Sequence, residues 1–139
     1  MRNKSSFGFF VFIFVLGLTV SLIGLNKEVE NKLVIQTDET LDFSIEIRQV
    51  GLEKDVLLYS SEVIEVYKGI LNSRFEGGES HILLTINQQE QELVSYLDVN
   101  NSLLQITLNL ISVNQDEIKL ETKVRTSFGT EKGTLHFLK

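Results

Sequence analysis

LLQITLNLISVNQDEIKLETKVRTSFGTEKGTLHFL, residues 103–138, is the stretch that decides the fold. Leu104, Ile106, Leu108 and Leu110 fall on one parity and Gln105, Thr107 and Asn109 on the other. A period of two marks a half-buried strand, because successive side chains leave a strand on opposite faces. Asn114-Gln115-Asp116 then supplies turn chemistry, and Ile118, Leu120, Thr122 and Val124 alternate with Lys119, Glu121, Lys123 and Arg125. The two halves make an antiparallel hairpin with one wet face. Ser127-Phe128-Gly129-Thr130 and Gly133 interrupt the pattern before a last short strand, Thr134 to Leu138, which completes a meander.

Upstream, Leu41, Phe43, Ile45 and Ile47 alternate with Asp42, Ser44, Glu46 and Arg48, and Gly51 follows the end of that strand. Ser80 to Ile86 and Glu92 to Val99 are expected as strands joined across Asn87 to Gln91, with Asn100-Asn101 as the turn into residue 103. Leu33 to Gln36 and Asp55 to Ser60 add two more. In Glu62 to Leu71 the apolar residues recur with helical spacing, yet β-branched Val63, Val66 and Ile70 favour a strand. Seven or eight short strands in so little chain predict an all-β fold: an antiparallel β-sandwich or a small barrel. The layout resembles the immunoglobulin-like and fibronectin-like modules of bacterial envelopes, and also the small periplasmic sandwiches that inhibit curli subunit aggregation. The resemblance is one of layout; the Cys and Trp core marks of antibody-type domains are absent.

The N-terminal part follows other rules. Phe7 to Leu25 carries no charge, and as a helix its nineteen residues would extend about 28 Å, close to the roughly 30 Å of bilayer hydrocarbon. Arg2 and Lys4 precede it, while Lys27 and Lys32 beyond it are balanced by Glu28 and Glu30, so the positive-inside bias puts the N-terminus in the cytoplasm and the rest outside. The organisation expected is a signal-anchor or signal peptide over 1–25, a linker over 26–32 and an exported all-β domain over 33–139. Cleavage at Thr19-Val20-Ser21 would release a soluble periplasmic or secreted domain; retention would leave a single-pass inner-membrane protein. The prepilin pattern fails, since Gly8 has no Glu five residues on. Gly17 and Ser21 form a small-xxx-small pair of the kind that would let two such helices meet in a homodimer.

Beyond residue 25 the chain holds eleven basic and nineteen acidic residues, a net charge of −8. That field opposes contact with nucleic acid phosphates, and no basic patch interleaved with aromatics offsets it. With no Cys anywhere there is no disulfide framework, thiolate metal cluster or cysteine nucleophile. Acid-base or nucleophilic chemistry would call on His81 or His136, the two histidines, with Ser80 and a carboxylate. Ser80 and His81 are strand neighbours and so point to opposite faces. Asp98-Val99-Asn100-Asn101-Ser102 imitates the start of a calcium loop, but its sixth position is Leu103 and its twelfth Asn109, so a hairpin turn is the better reading. Asn100 also heads a glycosylation sequon, and Gly77-Gly78 lacks the Lys-Ser/Thr of a phosphate cradle. No catalytic residue, metal ligand or cofactor is expected.

What remains is strand edges, which this chain, lacking Pro, leaves to be guarded by charge. The expected role is a non-enzymatic bacterial envelope protein that meets a protein partner in assembly, chaperoning or secretion by β-strand addition. Terminal strands are often edges, which makes Leu33, Val34, Ile35 and Gln36, and Leu135, His136, Phe137 and Leu138, the candidate contacts. The rival reading is a small exported hydrolase or ligand-binding barrel, whose mark would be a concave pocket that places His81 or His136 beside a carboxylate.

Overall fold

The structure is a computed structural model that describes residues 30–52, 55–71 and 79–139. The predicted membrane or signal helix over Phe7 to Leu25 lies outside the described residues. Among those described there is no helix, only strands: β1 (Lys32–Gln36), β2 (Ile45–Gly51), β3 (Asp55–Ser61), β4 (Tyr67–Ile70), β5 (Ser80–Ile86), β6 (Gln89–Leu97), β7 (Leu104–Val113), β8 (Glu117–Thr126) and β9 (Gly129–Leu138). They form a five-stranded sheet in the order β4-β1-β7-β8-β9 and a four-stranded sheet in the order β3-β2-β5-β6. The fold is all-β with two sheets, as a sandwich requires.

The parity of β7 and β8 holds. Leu104, Ile106, Leu108, Leu110, Ile118, Leu120, Thr122 and Val124 are buried and form one inner face. Across from it, Ile45, Ile47, Ile82, Leu84 and Ile86 cover the core from the other sheet. A bulge between Leu110 and Ser112 adds a residue, so that Ile111 and Ser112 are both exposed and Val113, opposite Ile118, takes the inward side, which ends the alternation where the hairpin begins to close. In the turn, Asn114 Oδ1 accepts from Asp116 N at 2.9 Å and Glu117 N at 2.8 Å.

Several expectations change. The sheets are not wholly antiparallel, because β1 runs parallel to β7, with Leu33 opposite Ile106 and Ile35 opposite Leu108. The strand expected from Leu41 starts only at Ile45, and Leu41 instead makes an isolated bridge to Ile64. Of Glu62 to Leu71, the strand is Tyr67–Ile70, antiparallel to β1. The break foreseen at Ser127 to Gly133 shrinks to a two-residue connection, Ser127-Phe128, after which Gly129 at φ 143° starts a ten-residue strand. Gly133 is tolerated inside it because its partner Thr122 lies so near that a Cβ would meet Oγ1 at 3.2 Å. Residues 98–103 are not a hairpin turn; they carry the chain from β6 in one sheet to β7 in the other.

The five-residue loop expected at Asn87 to Gln91 is also only two residues long. Asn87 (φ 49°) and Gln88 (φ 68°) both lie in the left-handed region, the backbone of a type I′ turn, whose twist suits the flanking strands. Asn tolerates that conformation and Gln does so poorly. Gln88→Gly is therefore expected to stabilise the domain by about 1 kcal/mol, checked by urea denaturation. A destabilising result would mean that Gln88 does not hold a positive φ in solution.

Candidate functional site

A sandwich has two flanks where its sheets meet edge to edge, and here they are closed differently. On one flank Tyr59 of β3 and Tyr67 of β4 pack with ring centroids 4.7 Å apart. Burial pushes the Tyr59 hydroxyl above its usual pKa, against the lowering effect of a hydrogen bond with Ser61. Tyr67 lies over Gly69, where a Cβ would strike its ring, so only glycine leaves room for this aromatic cover.

The other flank lies between β6 and β9. The first residues of β6 put Gln89 and Gln91 on the side toward the facing sheet, an odd place for amides unless they find partners. They do find them. Leu138 N donates to Gln89 Oε1 at 2.9 Å, Gln89 Nε2 donates to Leu138 O at 2.5 Å, and Gln91 Nε2 donates to His136 O. These side chains satisfy the backbone groups that β9, as an edge, presents away from β8. Half of the flank is thereby sealed.

The other half stays open. Register shifts in β6, where Ile82 pairs with Val94 and Ser80 with Leu97, mark bulges that reset its parity. Beyond them Val94 and Leu97 point inward and Tyr96 is exposed. A cleft of about 250 Å³ opens between Val94, Tyr96, Leu97 and Asp98 on one side and Val124, Thr126, Phe128 and Glu131 on the other. Its floor is apolar, since Val94, Leu97 and Val124 are buried, and its rim is aromatic, with Tyr96 58% and Phe128 67% exposed. Asp98 and Glu131 make it acidic. The Tyr96 hydroxyl sits above its usual pKa through partial desolvation and the nearby charges of Glu79 and Asp98.

Beside this cleft runs the backbone of β9. Because antiparallel residues alternate in the direction of their N–H and C=O groups, Thr130, Lys132 and Thr134 point the same way as His136 and Leu138. No strand pairs with them there among the described residues.

The predicted contact residues separate accordingly. Leu33, Val34, Ile35 and Gln36 make up most of β1, which is not an edge: β4 flanks it on one side and β7 on the other. A chain end lies at a sheet edge only if no later strand pairs outside it, and β4 does. Leu135, His136, Phe137 and Leu138 do belong to an edge strand, but to the part whose outward backbone the glutamines occupy. The open part, Thr130 to Thr134, falls mostly in the stretch that the sequence pattern marks as a break. Phe128 carried the one available signal, an aromatic at a turn flanked by Ser and Gly; the roles of Gln89 and Gln91 have no local signature.

The histidines do not converge. His81 Nδ1 is 3.4 Å from Glu92 Oε1 on the outer face of the four-stranded sheet, and His136 Nδ1 is 2.7 Å from Glu117 Oε1 on the outer face of the five-stranded one. Each has a carboxylate neighbour, but neither lines the β6/β9 cleft or the broad polar depression of about 470 Å³ between Gln36 and Lys132 on the outer face. Ser80, as its parity requires, turns inward to accept from Gln49 Nε2 at 3.0 Å. The acidic turn that imitates a calcium loop uses its oxygens internally: Asp98 Oδ1 accepts from Asn100 N at 2.8 Å, and Asn101 Oδ1 from Ser127 N at 2.9 Å. Among the described residues no three His, Asp or Glu side chains gather where they could hold a metal ion.

Comparison with family models, with curated proteins and with solved structures finds no match for this chain.

Proposed function

We propose that this chain is a non-enzymatic protein of a bacterial envelope, held by Phe7 to Leu25 with its β-domain outside the cytoplasm, and that it acts by protein contact in assembly, chaperoning or secretion. The observation that supports this reading is the half-open flank: the outward backbone groups of Thr130, Lys132 and Thr134, which no strand pairs with among the described residues, beside an acidic cleft with an apolar floor. Edge backbone recognises an extended segment through main-chain hydrogen bonds, and the adjoining cleft selects its side chains. An extended partner strand laid along Thr130 to Thr134 would place an apolar side chain over Val94, Leu97 and Val124. A cationic group would sit beside Asp98 and Glu131. Lys132 and the inward-facing Glu131 guard the same edge against pairing with a second copy, since two copies would bring like charges together.

The test uses the full chain in native membranes, with a photo-crosslinking side chain at Thr134. Lys132→Pro removes a backbone donor from the edge and is expected to weaken adduct formation by up to about tenfold, the worth of one hydrogen bond. Lys132→Ala should retain most of it, and the double variant His81→Ala/His136→Ala should retain both adduct and cellular phenotype. Folding of each variant is checked by circular dichroism. Adducts insensitive to the proline would overturn the edge reading, and a folded double-histidine variant without activity would overturn the non-enzymatic one.

A further inference from the structure

The chain enters the domain at one end of the sandwich, where Asn31 Oδ1 accepts from Leu104 N at 2.7 Å and Glu30 O from Gln105 Nε2 at 3.1 Å. Described residues of three chain connections share that end. Gly51 pairs with Ser80 and Ser80 with Leu97, which brings Leu52 and the 98–103 crossing together. Ser127 N and Oγ hydrogen-bond Asn101 and Ser102, which adds the β8–β9 turn. At these tips stand Leu52, 91% exposed, Val99, 56%, and Phe128, 67%. The turns at the opposite end carry Asn87-Gln88, Asn114-Gln115-Asp116 and Asp38-Glu39, although Val66 and Leu138 are also exposed there. Water is a poor neighbour for a leucine side chain left almost wholly bare, and apolar residues gathered at several loop tips on one end mark a contact surface.

We infer that this end rests on the surface of a phospholipid bilayer, with Leu52, Val99 and Phe128 entering the headgroup boundary. The inference rests on Phe7 to Leu25 being a membrane anchor. Between Leu25 and Glu30 the chain has five residue steps, which extend at most about 18 Å. The tethered end of the domain therefore stays within that distance of the membrane, and its apolar tips meet lipid before any other surface. Apolar and aromatic side chains gain free energy at the acyl boundary without spanning it. The lipid it suits is zwitterionic, because among the described residues at this end Glu30, Asp55, Glu79 and Asp98 outnumber Lys32 and Arg125, a net negative charge that anionic headgroups would repel. The open cleft, whose rim includes Phe128, lies toward this end, so a partner strand would be bound close to the membrane.

The absence of cysteine makes a site-specific test direct. Leu52→Cys, Val99→Cys and, at the far end, Gln115→Cys are introduced singly into the full chain and labelled with a polarity-sensitive fluorophore. The proteins are reconstituted in phosphatidylcholine vesicles that carry a headgroup-level quencher. Labels at 52 and 99 are expected to shift to the blue and to be quenched several-fold more than the label at 115, and to lose part of that quenching when phosphatidylglycerol replaces some of the lipid. Equal quenching at all three sites, in a chain that resists alkaline carbonate extraction, overturns the docking and leaves the anchor standing. Stronger quenching with phosphatidylglycerol also overturns it, since the contact would then be electrostatic. Release of the chain by carbonate overturns the anchor and the docking with it. Neither Leu52 nor Val99 lines the cleft, so these results are independent of partner binding.

Discussion

Phe137→Ala is expected to lower the stability of the domain by about 3–5 kcal/mol, a large share of the roughly 5–15 kcal/mol that holds a typical domain together. Phe137 lies on β9, an edge strand, yet it is fully buried. It faces inward opposite Ile118 and sits between the two residues that the glutamines hold, His136 and Leu138. Those amides keep the flank shut over the ring, so little can collapse into the space that its removal leaves. The loss is read from urea unfolding of residues 26–139, with Asn109→Ala, on the outer face, as a control expected to cost little. A cost at Phe137 no greater than at Asn109 would show that the β6/β9 flank is not closed in solution.

Asn101→Ala is expected to cost about 1–3 kcal/mol, although Asn101 lies in a loop and alanine is the smaller residue. Its side chain is 2% exposed. Its Oδ1 accepts from Ser127 N, and its Nδ2 donates to Leu103 O at 2.9 Å. Truncation leaves a backbone N–H and a backbone C=O without these partners in a place where water is largely shut out, and that desolvation is what destabilises. Asn100→Ala is the matched control: Asn100 is exposed, and it is its backbone N, not its side chain, that donates to Asp98 Oδ1. Thermal unfolding of the two variants separates the readings, since similar midpoints would mean that the 98–103 crossing is not fastened to the β8–β9 turn.

Which way a side chain faces is a local property of this sequence. In β8, and in β7 as far as its bulge, each inward residue follows from its parity alone, because alternation belongs to the extended backbone and needs no knowledge of neighbours; past the bulge Val113 packs inward opposite Ile118 against that parity. Turn chemistry was equally local: Asn114 bonds the backbone two and three residues ahead of it. Pattern and structure part where a local signal has two meanings. Gln89, Glu90 and Gln91 are polar enough for a loop, and are strand because Gln89 and Gln91 meet the backbone of a strand almost fifty residues away.

Which strands are edges depends on long-range pairing. β1 is first in sequence and yet lies inside its sheet, since β4 pairs outside it and β7 beside it, both far along the chain. The site obeys the same rule. Whether Thr130 to Thr134 is open depends on where the bulges of β6 carry that strand, and whether Leu135 to Leu138 is covered depends on two glutamines that no nearby residue calls for. Parity is a property of one strand's own backbone, whereas an edge is a property of the strands that pair with it, and pairing is set by contacts between residues distant in sequence.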